Sequence, residues 1–230
     1  MTNTKRLGYT LFELIAVLTV SGIIFMVIMG SWNSWSTVHA CNGAASILRS
    51  GIQQARTLAQ AKNKYVAFEF GSFSSSQMQQ ISGFQIYLCT NEMGNTEQLL
   101  PDLEYSKPMN EQNNTVLTQM GITQAGPPQR LSNHIDIISF PSDSNGKIAI
   151  LIFRPDGSVY NNYNINNIFI YILGRRNVNI MEFIDNNIGL PDSEKLCEQN
   201  ILHSRLKINL VTGYTETKKG EDIKTNEKSL

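Results

Sequence analysis

The chain has 230 residues, 41% hydrophobic and 17% charged, with a formal net charge of +0. That size suits one globular domain plus an accessory segment. The neutral balance excludes a global electrostatic pull toward nucleic acid or anionic lipid, and no period of about 20–50 residues points to a repeat architecture.

The first element lies in "KRLGYTLFELIAVLTVSGIIFMVIMG", residues 5–30. From Leu14 to Met29 the only residues that are not apolar are Thr19, Ser21 and Gly22, and no Asp, Glu, Lys or Arg occurs between Glu13 and Arg49. A helix rises ~1.5 Å per residue and a membrane span takes ~20 apolar residues, so residues 11–31 are just long enough. Lys5 and Arg6 precede the run, which predicts a cytoplasmic N-terminus and an exported remainder. Trp32 and Trp35 follow it, where amphipathic rings favour the far interface. A cleavable secretory signal ends in small residues, and Trp32, Asn33 and Trp35 make a poor cleavage site. A plain signal anchor fits the hydropathy but gives Glu13 no purpose. At the end of a span that carboxylate has the headgroups within reach; inside an apolar phase it costs several kcal/mol without a partner.

"KRLGYTLFELIAVL" resembles the processing site of type IV prepilins and type II secretion pseudopilins, in which a short basic leader ends in Gly. The resemblance implies that a membrane peptidase cuts between Gly8 and Tyr9 on the cytoplasmic side and that Tyr9 becomes the N-methylated first residue. Glu13 matches the family's glutamate just inside the mature helix, and Thr10, Leu11, Leu14 and Ile15 fit as well. In such filaments apolar helices bundle, and Glu13 would meet an ammonium N-terminus, its own or a neighbour's. Low dielectric strengthens that attraction, and either charge left alone is costly. Residues 1–8 are then a leader and 9–31 a transmembrane and assembly helix. The implied partners are other pilins or pseudopilins, the prepilin peptidase and an inner-membrane assembly platform. The implied location is a single pass of the inner membrane with a periplasmic globular domain, assembled into a periplasmic filament.

Residues 32–63 carry no proline, and Ala44, Ile47, Leu48, Ile52, Ala55, Leu58 and Ala59 recur at three- and four-residue steps. That is one apolar helix face. Gly51, Ala55 and Ala59, four apart, allow a close packing partner. Arg49, Gln53, Arg56, Gln60 and Lys62 take the opposite face, with Arg56 read as a solvated charge. One helix is expected from near residue 10 to near 62, with Gly22, Gly30 and Gly43 as weak points.

Strand signals follow at 64–70, 83–90, 135–140, 146–160 (with a Pro-Asp-Gly turn between two strands), 167–173 and 204–216. A long helix followed by strands predicts an α+β fold with the helix laid on an antiparallel sheet, the β-rich domain covering 64–216. Residues 91–133, polar and with Pro101, Pro108, Pro127 and Pro128, read as a long, irregular, exposed insertion. The charged tail, 217–230, reads as mobile.

Three shorter stretches support a finer resemblance, to the GspH/FimT family of H-type minor pseudopilins and related minor pilins. Ala55, Arg56, Ala59, Asn63 and Val66 fit its helix-to-strand junction. "IFRPDGSV" (152–159) is similar to a later turn, and "LVTGYTE" (210–216) to its closing strand, where Tyr214 stands in place of the usual Arg. The insertion has no counterpart there.

No catalytic arrangement emerges. His39, His134 and His203 form no metal-ligand spacing, no nucleophile elbow or phosphate loop occurs, and "PSDSNGK" (141–147) reads as a turn rather than a calcium loop. Arg175 and Arg176 read as a strand-end turn. No enzyme activity, cofactor or metal is expected. The cysteines, Cys41, Cys89 and Cys197, leave two states open in an oxidising compartment: a Cys89–Cys197 bridge with Cys41 left over, or three free thiols. The functional expectation is a minor pseudopilin that initiates or caps a type II secretion filament for protein transport. The alternative is a minor type IV pilin acting in pilus assembly or DNA uptake, against which neutral charge and Tyr214 count.

Overall fold

The computed structural model describes residues 10–74, 80–91, 93–103, 109, 113–132, 135–140, 148–160, 166–174, 184–185, 190–191, 196 and 201–219. The chain divides into two compact units, Met1–His39 and Ala40–Leu230. One helix, α1, is continuous from Leu11 to Lys62, which matches the bounds expected from periodicity.

In the first unit, Leu11–Met29 is long and apolar enough to cross a membrane, and none of it is buried. Its two hydroxyls cause no polar penalty. Thr19 donates to the carbonyls of Ile15 and Ala16, and Ser21 to those of Val17 and Leu18, so each satisfies itself within the helix.

In the second unit α1 is amphipathic. Cys41, Ala44, Ala45, Leu48, Ile52, Ala55 and Ala59 are all buried, the stripe that three- and four-residue spacing demands. The helix stops at Asn63, which takes a left-handed φ of 50°. Its N–H donates to Gln60 O (3.3 Å) and that of Lys64 to Ala59 O (3.2 Å), the two crossed bonds of a Schellman end. Lys64 Nζ then ties the turn to the carbonyls of Thr90 (2.7 Å) and Asn91 (3.0 Å).

Two antiparallel sheets follow, where the sequence suggested one. In the first, β1 (Val66–Ser74) lies between β2 (Gln80–Cys89) and β6 (Ile148–Phe153), and β2 also pairs with β3 (Ile122–Gln124) and β4 (Gln129–Arg130). In the second, the order is β11 (Thr215–Lys219), β10 (Leu202–Asn209), β7 (Asn167–Leu173), β5 (Asp136–Phe140). A short ribbon joins β8 (Ile184–Asp185) and β9 (Leu190–Pro191). The buried face of α1 shares one core with Val66, Phe68 and Phe70 of β1, Ile170 and Ile172 of β7, and Leu206 and Ile208 of β10. Both sheets therefore contribute to the cover of one helix stripe. Gly51 is needed there: a Cβ on it would stand 2.6 Å from Phe84 Cζ and 3.0 Å from Phe68 Cε2.

Four expectations are corrected. The described part of 91–133 is regular rather than irregular: it holds α2 (Met93–Leu99), a 3-10 turn (Leu100–Asp102), α3 (Asn114–Met120), β3 and β4. Leu100, Leu103, Met109, Val116 and Met120 form a second core with Ala67, Cys89, Ile150 and Ile152, because β6 is apolar on both faces and the second face needs a cover. The stretch 204–216 is a hairpin rather than one strand, turning at Gly213 with φ 65°. The tail's first residues, 217–219, complete β11 by pairing with Ser204–Leu206; residues 220–230 lie outside the described set. Beyond the Pro155-Asp156-Gly157 turn, the anticipated second strand is one bridge, Phe153 to Val159.

Candidate functional site

Lys5, Arg6, Gly8 and Tyr9 lie outside the described residues, so the leader junction has no geometry to report. Glu13 does. One of its carboxylate oxygens, Oε2, accepts from the backbone N–H of Thr10 at 2.8 Å and from the Thr10 hydroxyl at 2.9 Å. In return the Glu13 N–H donates to Thr10 Oγ1 at 3.3 Å. This is a reciprocal capping box: threonine at the N-cap, glutamate three residues on, each satisfying a helix-end donor. The negative carboxylate also suits the positive end of the helix dipole. The pattern Thr-x-x-Glu is visible in the sequence, and reading Glu13 without Thr10 missed it. The capping box holds the carboxylate at the helix start and directs it back along the chain, toward the peptide that precedes Thr10.

The three stretches that suggested the finer resemblance come together at the C-terminal end of α1. Arg56 is half-buried rather than solvated. Cβ atoms built on Gly157 and Gly213 would stand 3.0 and 3.2 Å from its Nε. Gly213 also abuts the carbonyl of Gly157, so the two turns pack on each other and on one arginine stem. Gln60 donates to the Asp156 carbonyl (3.1 Å), and Gln53 to the Thr215 hydroxyl (2.9 Å). Ser204, wholly buried, donates to Asn42 at 3.0 Å. The helix face expected to meet solvent is thus bonded at Gln53 and Gln60, and packed at Arg56, against the ends of both sheets. It is an architectural clasp and presents no reactive constellation. The turn itself is closed by Asp156, whose carboxylate accepts from the Ser158 N–H at 2.8 Å. The Ser158 hydroxyl and N–H hold it below the usual carboxylate range.

Cys41 and Cys89 are buried free thiols, and burial pushes both up to about 12. They are thiols, not thiolates, at neutral pH. Cys197, His134, His203, Arg175 and Arg176 lie outside what is described of side chains. Elsewhere Glu69 is buried on β1 and accepts from the Met109 N–H (3.0 Å), a polar link between the first sheet and the segment that covers it. Arg154 reaches Glu97 at 3.9 Å and lies 5.4 Å from the centre of the Tyr160 ring, pinning α2 at its exposed edge.

The chain matches no protein-family model and no curated protein. Among solved structures it is similar to the type IV minor pilin FimU of Pseudomonas aeruginosa, with 10% identity, 79% of this chain and 90% of that one covered, and a TM-score of 0.38. The α+β assignment itself stands on the long apolar helix and the antiparallel sheets described above.

Proposed function

We propose that the chain is a non-enzymatic subunit of a pilin-like filament, made as a precursor and assembled through its N-terminal helix. The observation that carries this reading is Glu13, fixed by Thr10 at the head of an apolar helix whose residues Leu11–Met29 find no cover among the described residues. An anchor alone needs no such carboxylate. In the proposed mature protein, Gly8 has been cut from Tyr9, and the methylated ammonium of Tyr9 lies one residue, ~3.8 Å along the Cα trace, from the nitrogen Glu13 already binds. Glu13 then compensates an ammonium in a bundle of helices where neither charge is solvated. Lys5 and Arg6 keep the leader cytoplasmic, the helix passes the inner membrane once, and the β-rich unit is periplasmic. Its role is that of a minor pseudopilin at the start or tip of a secretion filament; a minor pilin of an uptake system is the neighbouring reading, and gene neighbourhood separates the two.

Intact-mass measurement and N-terminal sequencing from cells that hold the prepilin peptidase test the proposal. Wild type should begin at methylated Tyr9, Gly8→Leu should stay full length, and Glu13→Gln should be cut yet fail to crosslink to partner pilins, in line with ~3–5 kcal/mol for a buried pair broken on one side. Thr10→Ala should weaken the same crosslink by only ~1 kcal/mol, the worth of a cap. Wild-type protein that retains Met1 would end this reading.

A further inference from the structure

Among the described residues of the second unit, three large apolar side chains are exposed: Ile47, Val211 and Tyr214, the last at 57%. Val211 and Tyr214 stand on the tip of the β10–β11 hairpin, and that tip is held tightly. Asn209 Oδ1 accepts from the N–H groups of Val211 and Thr212, each at 3.0 Å. The Asn209 carbonyl accepts from the Gly213 N–H at 2.8 Å, and the Tyr214 N–H donates to Thr212 Oγ1 at 3.2 Å. Tyr214 is therefore an exposed ring on a preorganised turn, which loses little freedom when it docks.

A cleft of about 150 Å³ lies on the other shoulder of α1. Its floor is Leu58, Phe84 and Ile86, and its wall is the turn between β3 and β4, at 125–127. That turn is tied down by the Ala125 N–H, which donates to Ile86 O at 2.9 Å, and by Gln85 Nε2, which donates to Gly126 O at 2.6 Å. Exposed amides, Gln54 and Gln129, stand at the rim. An apolar space of that size holds one benzene ring, and a tyrosine that enters ring first keeps a hydroxyl for an amide at the rim. Neither the cleft nor the hairpin tip, 210–214, contains Asp, Glu, Lys or Arg, so docking desolvates no charge of either. Gln53 bonds the hairpin at Thr215 and Arg56 packs beneath Gly213, whereas Gln54 and Leu58 line the cleft. At about 100° per residue the two sets point to opposite shoulders of one helix, at one level along it. Ring and cleft thus cannot meet within a chain, and two chains side by side bring the ring of one to the cleft of the next.

We propose that Tyr214 of one copy docks in the Leu58–Phe84–Ile86 cleft of a second copy. The contact is head-to-tail, so each copy keeps a free ring or a free cleft and the row can grow. One ring buries far less than the roughly 1,000 Å² of a lasting interface. The contact therefore acts between chains already held together by their apolar helices, where effective concentration is high, and in that it rests on the filament reading.

Two full-length copies are made in one cell that holds the prepilin peptidase. One carries p-benzoylphenylalanine at position 214, a photoreactive ring in place of a ring. The other is tagged and carries Tyr214→Ala, so it offers a cleft and no ring. Irradiation should bond position 214 of the first to Gln54, Leu58 or 125–129 of the tagged copy, as located by mass spectrometry. Gln54→Trp or, independently, Ala125→Trp in the tagged copy puts an indole at the cleft from an exposed position. Each should cut the yield about tenfold, the worth of one buried ring. The same plugs in the photoreactive copy should change nothing, because the copy that gives the ring does not use its own cleft. Bonds elsewhere on the tagged copy, bonds to other proteins alone, or a yield that both plugs leave unchanged overturn the docking. N-terminal sequencing separates the two readings. A chain that begins at Tyr9 and lacks this crosslink loses the docking and keeps the filament role. A chain that retains Met1 and forms the crosslink does the reverse, and one that retains Met1 without it loses both.

Discussion

The two ends of α1 use similar apolar residues to opposite effect. Between Leu11 and Met29 every side chain is exposed, with Ile24 at 54% and Phe25 at 61%. Between Ala40 and Lys62 the apolar residues cluster in one stripe, with Leu48, Ile52, Ala55 and Ala59 at 0%. Burial worth ~1.5–3 kcal/mol per large side chain is collected within the chain in the second case and left uncollected in the first. Among the described residues nothing covers an apolar surface of that length, which suits contact with lipid or another helix. Polar residues follow the same division. Thr19 and Ser21 satisfy themselves on their own helix, whereas Gln53 and Gln60 find partners 162 and 96 residues away.

The largest test of this contrast puts one charge in each region. Ile52→Asp would bury an unpaired carboxylate in the shared core and should cost several kcal/mol, ~4 or more, read as loss of cooperative denaturation of the detergent-solubilised protein. Ile24→Asp should leave that transition where it is and instead reduce membrane insertion, by an apparent ~2.5–3.5 kcal/mol at mid-span. Equal effects of the two on domain melting would erase the distinction. A smaller pair uses glycines. Gly51→Ala drives a methyl into the Phe84 and Phe68 rings and should cost ~1–3 kcal/mol of overpacking. Gly22→Ala meets nothing within 4 Å and should raise helicity by up to ~1 kcal/mol of propensity without moving the domain's melting point. The smallest effect belongs to Asp156→Ala, ~0.5 kcal/mol for an exposed turn bond. Its sign with pH is fixed. The folded carboxylate titrates below its ordinary value, so its contribution is fully present above the unfolded value near ~3.9. It is lost as pH falls through the lower, folded one, and wild type and variant should converge there in denaturation curves recorded across the acid range.

These contrasts also show what the sequence made legible. The helix was, because its apolar spacing is local and its end is marked by Asn63 and Lys64. Most strands were, because β-branched and aromatic runs such as "IAILIF" (148–153) declare themselves. The same run held an unread signal. Continuous apolar residues bury both faces of a strand, so a second cover had to exist, and the segment containing Leu100, Leu103, Met109 and Met120 supplies it. Its apolar residues are spaced among prolines and asparagines with no steady period, which is why it read as loop. The closing hairpin was obscured by charge: "TETKK" (215–219) has little strand character and is recruited by pairing with β10. At the candidate site Glu13 stands out in the sequence as an ill-placed charge, while the part Thr10 plays in orienting it is visible only in the capping geometry. The clasp was beyond reach, since Arg56, Gly157 and Gly213 are brought together only by both sheets.

That clasp sets an order of events during synthesis. Chains emerge from the ribosome N-terminus first. Arg56 waits for Gly213, Gln53 for Thr215 and Asn42 for Ser204, so these partners of the polar side of α1 are among the last residues translated. Until some 150 further residues have been added after Arg56, the clasp has no means of closing, while the apolar run near the start has long been synthesised. A chain cut short before Gly213 lacks the turn that packs on Arg56 and should leave the globular unit without its clasp.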